Sequence, residues 1–462
     1  MRCLLFACLL LGSFPSFALD RFQVEGYTLR NGLQLLLKPG VERGHVAIRL
    51  VVGVGLDDFS CAEKELPHLL EHLLFSGIDA TGEGGLEERM QALGGEWNAY
   101  TSNADTTFVI EAPAKNQRKV LDLLLALLTQ TRIDDNAINA AKQVVEREDG
   151  GHYSHLQRWL DRQDLGHTAS NQLAVELGLK CPERAEVDHL TREQLETVRK
   201  AWYAPNNMTL IVVGELDKLL PAYLERSYGT LEAVDPTDHP PLPEIQTSAA
   251  HERTLSDGFV GGGAKLHWLV PEPVLENQHD ETFDLLKEYL DWALYRQLRL
   301  AHGLSYGPSA EREVFGGVGF MSLNADLERD DVAEAEQVLD DLKAGLLKDG
   351  LNAGTFNRLK QAAIARQAWA VQGNSALADY YWSALGNYED GRFAAPARAL
   401  QGVTLDEANK AMRELLLQPG YLRIEKPLVS YDQLMWWSAG VLGLIVLMPL
   451  GWRLHRRAPR TL

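Results

Sequence analysis

Cysteine is scarce in this chain, four residues in 462, too few for a disulfide scaffold. Basic residues are in deficit, 45 against 64 acidic ones, and the formal net charge is −19. A nucleic-acid binder replaces counterions with basic patches, so this balance argues against one. The glycine-rich run Gly258 to Gly263 is not followed by Lys-Ser or Lys-Thr, which rejects a phosphate loop there. What is present is ordinary for a globular protein: 45% hydrophobic and 24% charged residues, with 39 Gly and 19 Pro. That composition excludes a disordered, collagen-like or polytopic membrane chain, and the length suggests two to three domains.

The two ends read differently from the body. Residues 1–18 combine Arg2, an apolar run from Cys3 to Phe14 and small residues at Ser16 and Ala18, the layout of a secretory signal peptide. Residues 433–452 carry no charge, which is the length and character of one transmembrane helix. Trp436, Trp437 and Trp452 sit near its ends, where amphipathic rings prefer the interface. Arg453, Arg456, Arg457 and Arg460 follow in the tail 453–462, which the positive-inside rule places in the cytoplasm. The expectation is a body on the periplasmic face of a bacterial inner membrane, tethered by a single pass. Cleavage at residue 18 leaves Cys61 and Cys181, which either pair in an oxidising compartment or stay as two buried thiols.

Between these ends the expected fold class is α+β. Val46 to Val54 and Thr106 to Glu111 read as strands; Lys119 to Thr129 and Asn136 to Glu148 read as helices from their three- and four-residue apolar spacing. Four prolines between Pro236 and Pro243 mark a linker over 235–257, dividing a first unit, 19–234, from a second, 258–430. The second unit echoes the first. Arg49 to Leu56 recurs as Leu266 to Pro273, and Leu190-Thr191 onward recurs as Val403-Thr404 onward. The shift of 217 residues that aligns the strands maps His68, Glu71 and His72 onto Leu285, Glu288 and Tyr289, so only the first half keeps a candidate metal site.

That site is His68-Leu69-Leu70-Glu71-His72, preceded by Pro67. Residues at i and i+4 of a helix share a face, so both imidazoles reach one ion, and Glu71 lies on the same side within reach of water beside it. Pro67 suits the first helical position, where its missing N–H costs little. The order H-x-x-E-H is that of the inverted zinc peptidases. A catalytic zinc needs a third protein ligand and an open position. On the helix Asn136 to Glu148, Glu148 falls on the face of Ala141, Val144 and Val145, whereas Glu146 and Asp149 point away. Glu148 is therefore the expected third ligand, the alternative being an acid at a frayed helix end before Gly150-Gly151.

The run His68 to Gly77, followed by Gly94-Gly95-Glu96-Trp97-Asn98-Ala99-Tyr100-Thr101-Ser102, resembles the insulinase/pitrilysin-type zinc peptidases. The 75 residues between His72 and Glu148, the stretch Trp202 to Gly214 and the signature Arg299-Leu-Ala-His-Gly303-Leu304-Ser-Tyr306 resemble that family too. Two departures stand out: Ala141 occupies a position that often holds a second glutamate, and Gly166 to Glu186 matches poorly.

The resemblance implies two homologous αβ half-domains, each an antiparallel sheet packed with helices. It implies one Zn²⁺ per chain on His68, His72 and Glu148, with Glu71 as general base for peptide hydrolysis. It further implies that Arg299 and Tyr306 bind the substrate carbonyl and oxyanion from the second half, and that Asn98, Ala99, Tyr100 and Thr101 form an edge strand for an extended substrate. Half-size members, such as bacterial peptidases and mitochondrial processing peptidase subunits, pair as homodimers or heterodimers around a chamber that admits flexible peptides or unfolded segments. Two rival readings are a membrane-tethered, non-catalytic partner subunit and a solute-binding protein with a closed structural zinc. Retention of the ligands, Arg299 and Tyr306 argues against the first, and three rather than four placed ligands against the second.

Overall fold

A computed structural model describes residues 20–76, 85–148, 169–182, 186–245, 252–256, 258–274 and 281–457. The expected signal peptide, residue Gly77 of the metal motif and part of Gly166 to Glu186 lie outside the described residues.

The first half contains strands β1 (Glu25–Thr28), β2 (Gln34–Pro39), β3 (His45–Val52), β4 (Glu96–Thr101), β5 (Thr106–Pro113) and β6 (Met208–Gly214). Its helices are α1 (Leu66–Ser76), α2 (Leu86–Ala92), α3 (Gln117–Gln130), α4 (Asp135–Glu148), α5 (Ala169–Glu176), α6 (Arg192–Trp202) and α7 (Leu220–Ser227). The second half contains β7 (Glu252–Ser256), β8 (Gly263–Pro271), α8 (Glu281–Leu294), β9 (Ser309–Phe315), β10 (Val318–Glu328), α9 (Val332–Asp349), α10 (Ala353–Ala370) and α11 (Gly373–Ser383). A short hairpin of β11 (Tyr388–Glu389) and β12 (Arg392–Phe393) follows, then α12 (Pro396–Gly402), α13 (Leu405–Leu417), β13 (Tyr421–Lys426) and α14 (Tyr431–Arg457).

The strand orders are β1-β2-β6-β3-β5-β4 and β7-β13-β8-β10-β9. Setting β1 aside, the two sheets share one topology, with β7, β13, β8, β10 and β9 standing where β2, β6, β3, β5 and β4 stand. The sheets are mixed rather than antiparallel. The last strand of each half inserts between its first two, antiparallel to one and parallel to the other, so β2 runs parallel to β6 and β7 parallel to β13. The helix preceding each inserted strand opens on a threonine, Thr191 or Thr404, whose hydroxyl accepts from the N–H three residues on. The stretch expected as linker, 235–257, ends in β7. Its polar sequence Glu-Arg-Thr-Leu-Ser suits an edge strand, with only Leu255 buried.

Each sheet is apolar on both faces, which is why β3 and β6 read as near-continuous hydrophobic runs, interrupted by Arg49 in β3 and Thr209 in β6. One face of the first sheet, through Val46, Ile48, Leu50 and Val52, packs with the leucines of α1 and α3 in its own core. Its other face, through Leu36, Ala47, Ile211 and Val213, is covered by Leu377, Ala378 and Tyr381 of α11 from the second half. The exchange is reciprocal. Leu173, Ala174, Leu177 and Leu179, on and just after α5 of the first half, cover Leu269, Phe320 and Tyr421 of the second sheet.

Arg49 stands at the first of these junctions. It is 1% exposed, yet its guanidinium donates to Asp379 of α11 at 2.7 Å, to Glu111 at 2.8 Å and to the Ile48 carbonyl at 3.0 Å. A buried cation is tolerable only when its donors are met in this way. Cys61 and Cys181 form a disulfide across 120 residues, tying the segment before α1 to the segment after α5. Closing a loop of that length stabilises by about 5 kcal/mol in the chain-entropy account.

The stretch 433–452 is helical throughout, within α14. Its described apolar side chains, Trp436, Trp437, Leu442 and Met448 among them, are exposed. Among the described residues, no helix is long and apolar enough to cross a membrane.

Arg49→Ala should lower unfolding stability by about 3 kcal/mol, because Glu111 and Asp379 lose their shared partner at the junction. Arg49→Lys should recover only part, since an ammonium lacks the planar fork. Urea titration checks both. A loss in Arg49→Ala below about 1 kcal/mol, the level of an exposed ion pair, would show that the junction does not depend on this contact.

Candidate metal centre

The helix α1 begins one residue before Pro67, which takes its second position. Its sequence divides the helix lengthwise. Leu66, Leu69, Leu70, Leu73 and Leu74 are buried in the first core, while His68, Glu71 and His72 occupy the remaining arc. α4 packs against α1, anchored by the buried Ile138, Ala141 and Val145. Val144, expected on this face, is exposed at its margin. The same register brings Glu148, on the last turn of α4, over the two imidazoles.

His68 Nε2, His72 Nε2 and Glu148 Oε2 form a triangle with every edge 3.2 Å. Tetrahedral zinc with bonds of about 2.0–2.1 Å requires ligand atoms about 3.3 Å apart, so this triangle has the size of one face of such a site. The donors are two imidazoles and one carboxylate, the set of catalytic zinc with its fourth position open. Among the described residues, these three are the one group of His, Cys, Asp and Glu side chains close enough to share an ion. The residues present fit zinc.

Glu71 is buried, and its Oε2 accepts from the Thr101 hydroxyl at 2.7 Å. Thr101 thus fixes the expected base, a role its sequence position did not signal. Tyr203, partly buried against the first core, lies close enough to Glu71 to feel its charge; desolvation pushes its phenol well up, which keeps the ring neutral. Asn98 to Thr101 lie on β4, which pairs with β5 on one side and forms the edge of the sheet on the other. Ala99 and Thr101 point inward, while Asn98 and half-exposed Tyr100 point outward. The Ala99 N–H is held at 2.9 Å by the Asn98 side chain. Tyr100 stacks on Trp382 of α11, their centroids 6.5 Å apart, so the second half reaches the back of this strand.

Arg299 and Tyr306 lie together in the second half. Arg299 sits on the π-helical turn Tyr295–Ala301 that extends α8, donates to the Tyr306 carbonyl at 2.6 Å and stands 4.2 Å from the centre of its ring. Gly303, at φ +69°, makes the turn between them. Both line a cleft of about 680 Å³ with Lys265, Asp326 and Glu328. Among the described residues, no hydrogen bond or ion pair joins them to the metal triangle. Leu285 and Tyr289, which α8 holds where α1 holds its histidines, are buried core residues.

One further acid touches the centre. Glu65, just before α1, is 6% exposed; its Oε2 lies 3.0 Å from His68 Nδ1 and its other oxygen 3.1 Å from Lys64 Nζ. Burial alone would raise its pKa, but the His68 hydrogen bond and the Lys64 charge outweigh that and hold the carboxyl below its ordinary range. For His68, burial disfavours the cation, yet the Glu65 hydrogen bond and the charges of Glu65, Glu71 and Glu148 prevail, so its pKa stands above the ordinary value. No sequence signal marked Glu65, because an acid beside a lysine at a helix start reads as a solvated pair.

A proton and a metal compete for His68 Nε2, and a raised pKa lets the proton compete at higher pH. Zinc affinity should therefore fall as the solution is acidified, beginning above the ordinary imidazole pKa of about 6.5 and reaching about tenfold per pH unit. Competition against a fluorescent chelator across neutral pH measures it; flat affinity through that range would show that His68 is not a ligand.

Residues 42–183 match the family model described as insulinase (peptidase family M16), and residues 189–363 match the model described as peptidase M16 inactive domain. The chain is 20% identical over 349 residues to a Bacillus subtilis protein named uncharacterized zinc protease YmxG, covering 73% of this chain and 82% of that one. Its fold is similar to that of a Helicobacter pylori protease, with TM-score 0.71, 17% identity, and coverage of 88% of this chain and 100% of that chain. It is also similar to that of the periplasmic protease PqqL of Escherichia coli, with TM-score 0.70 and 19% identity. That match covers 87% of this chain but only 47% of PqqL. The chain belongs to the insulinase family of peptidases, family M16.

Proposed function

We propose that this protein is a zinc-dependent endopeptidase acting on flexible peptides or unfolded segments. The observation that carries the reading is the 3.2 Å triangle of His68, His72 and Glu148 with Glu71 on the same arc of α1. Bound there, one zinc per chain would polarise the scissile carbonyl and make water acidic enough to be deprotonated near neutral pH. Glu71, oriented by Thr101, takes the proton of the attacking water and passes it to the leaving amine. An extended substrate adds to the free edge of β4, displacing the Asn98 side chain from the Ala99 N–H and lying beside the metal ligands. Arg299 and Tyr306 would bind substrate oxygens once the two halves or a second chain close over the cleft.

Pairing with a second copy or a related chain is part of the proposal. PqqL has room for two units of this size, and a single unit leaves both the metal centre and the Arg299 cleft open. We further propose that the body lies outside the cytoplasm, on the periplasmic face of a bacterial inner membrane, a reading supported by the charge-free stretch 433–452, the arginine-rich tail and the exposed apolar side chains along α14. A membrane-tethered, non-catalytic partner subunit is the second reading, favoured by the match of residues 189–363 to the model described as peptidase M16 inactive domain.

Glu71→Gln should bind zinc like the wild type and lose peptide hydrolysis by about 10²- to 10⁴-fold. A quenched-fluorescent peptide library at equal measured zinc makes the comparison. A zinc-loaded wild type that cleaves nothing, alone or with its copurifying partner, would favour the non-catalytic subunit.

A further inference from the structure

We infer that Glu65 is a positioning residue for the metal centre, holding His68 in the single tautomer and orientation that presents Nε2 to the ion. The inference rests on the zinc-binding part of the reading above and extends it to a residue outside the H-x-x-E-H motif.

The two nitrogens of His68 face opposite ways and each has a partner. Nε2 points into the triangle with His72 and Glu148, and Nδ1 points at Glu65 Oε2, 3.0 Å away. A carboxylate only accepts, so Nδ1 must carry the hydrogen and Nε2 must keep its lone pair. No other tautomer of a neutral imidazole satisfies both sides. The same contact fixes ring rotation, since a flipped ring would turn carbon toward Glu65.

Glu65 itself is held rigidly. Its backbone carbonyl accepts the Leu69 N–H at 2.8 Å at the start of α1. Lys64, buried beside it, holds the second carboxylate oxygen at 3.1 Å. The carboxylate also lies at the amino end of α1, where the helix dipole favours negative charge. The remaining acids of the centre are otherwise engaged: Glu148 is in the triangle and Glu71 is bonded to Thr101. Two turns back from Glu148 on the inward face of α4 stands Ala141, which brings no second carboxylate to the ligands. Among the described residues, support for a ligand histidine by an acid comes only from Glu65, in the turn leading into α1. Partners that orient a ligand histidine raise its basicity and typically account for 10- to 100-fold in metal affinity.

The test uses the full chain in detergent and Zn²⁺ as the probe. Glu65→Gln keeps the shape of the side chain but presents an amide that either donates or accepts, and Glu65→Asp shortens the reach while keeping the charge. Zinc dissociation constants are measured by chelator competition, thermal midpoints on the metal-free protein, and the His68 tautomer by ¹⁵N NMR of the imidazole. The expected result is a 10- to 100-fold weaker zinc affinity in Glu65→Gln, with an unchanged metal-free midpoint and loss of the Nδ1–H signature, partly restored in Glu65→Asp. Affinity within twofold of wild type, or a fall in affinity matched by a fall in the metal-free midpoint, would overturn the role. A wild type that binds no zinc would overturn the metal site itself, a different failure from a wild type and Glu65→Gln that bind equally.

Discussion

Burial of the outer face of each sheet under a helix from the opposite half is the contact on which the rest of the molecule depends. A sheet that is apolar on both faces cannot stand against water, and the helices of its own half cover only one side. α11 covers the first sheet, and α5 with the residues just after it covers the second, so neither half completes its burial alone. Arg49 makes the first junction specific as well as apolar, because its donors fix where Asp379 must lie relative to β3. The same exchange brings Trp382 behind β4, so the strand proposed to receive substrate is backed by the half that does not carry the metal ligands.

Within that frame the metal centre follows from the division of α1 into two arcs. Five leucines hold the helix against the core, which leaves the histidines no choice of direction. α4 is positioned by its own apolar residues, and Glu148 is carried to the imidazoles by their register. Thr101 from β4 and Glu65 from the turn before α1 then fix Glu71 and His68 from two sides. Four separate elements converge on one cluster, and none of them is held there by the metal ligands themselves. The second half shows the same scaffold without the chemistry: α8 has Leu285 and Tyr289 where α1 has histidines, and both are core residues.

Much of this arrangement is legible in the order of the residues. The strands β3 and β5 and the helices α3 and α4 follow from periodicity, and the duplication from the recurrence of β3 and of a threonine-capped helix before the last strand. The features that are not legible have identifiable reasons. The parallel pairings arise from insertion of β6 and β13 between strands far away in sequence. β7 is hidden because an edge strand with one buried residue has the composition of a loop. Val144 reads as part of an apolar face by angle alone, and only the lateral position of α1 decides that the face ends short of it. Cys61 and Cys181 can be counted, but their pairing across 120 residues depends on two segments meeting that share no local pattern.

By itself the sequence determined what is local: the i, i+3, i+4 spacing that sets His68, Glu71 and His72 on one arc, the leucines that turn that arc outward, and the place of Glu148 on the inner face of α4. A helix has a fixed 3.6-residue period, so such relations hold wherever the helix is packed. Only the tertiary structure decided what crosses between elements: the 3.2 Å triangle, the bond from Thr101 to Glu71 and the bond between Glu65 and His68. Those distances are set by how helices and sheets pack, and packing sums many weak contacts over the whole chain, which no short stretch of residues encodes.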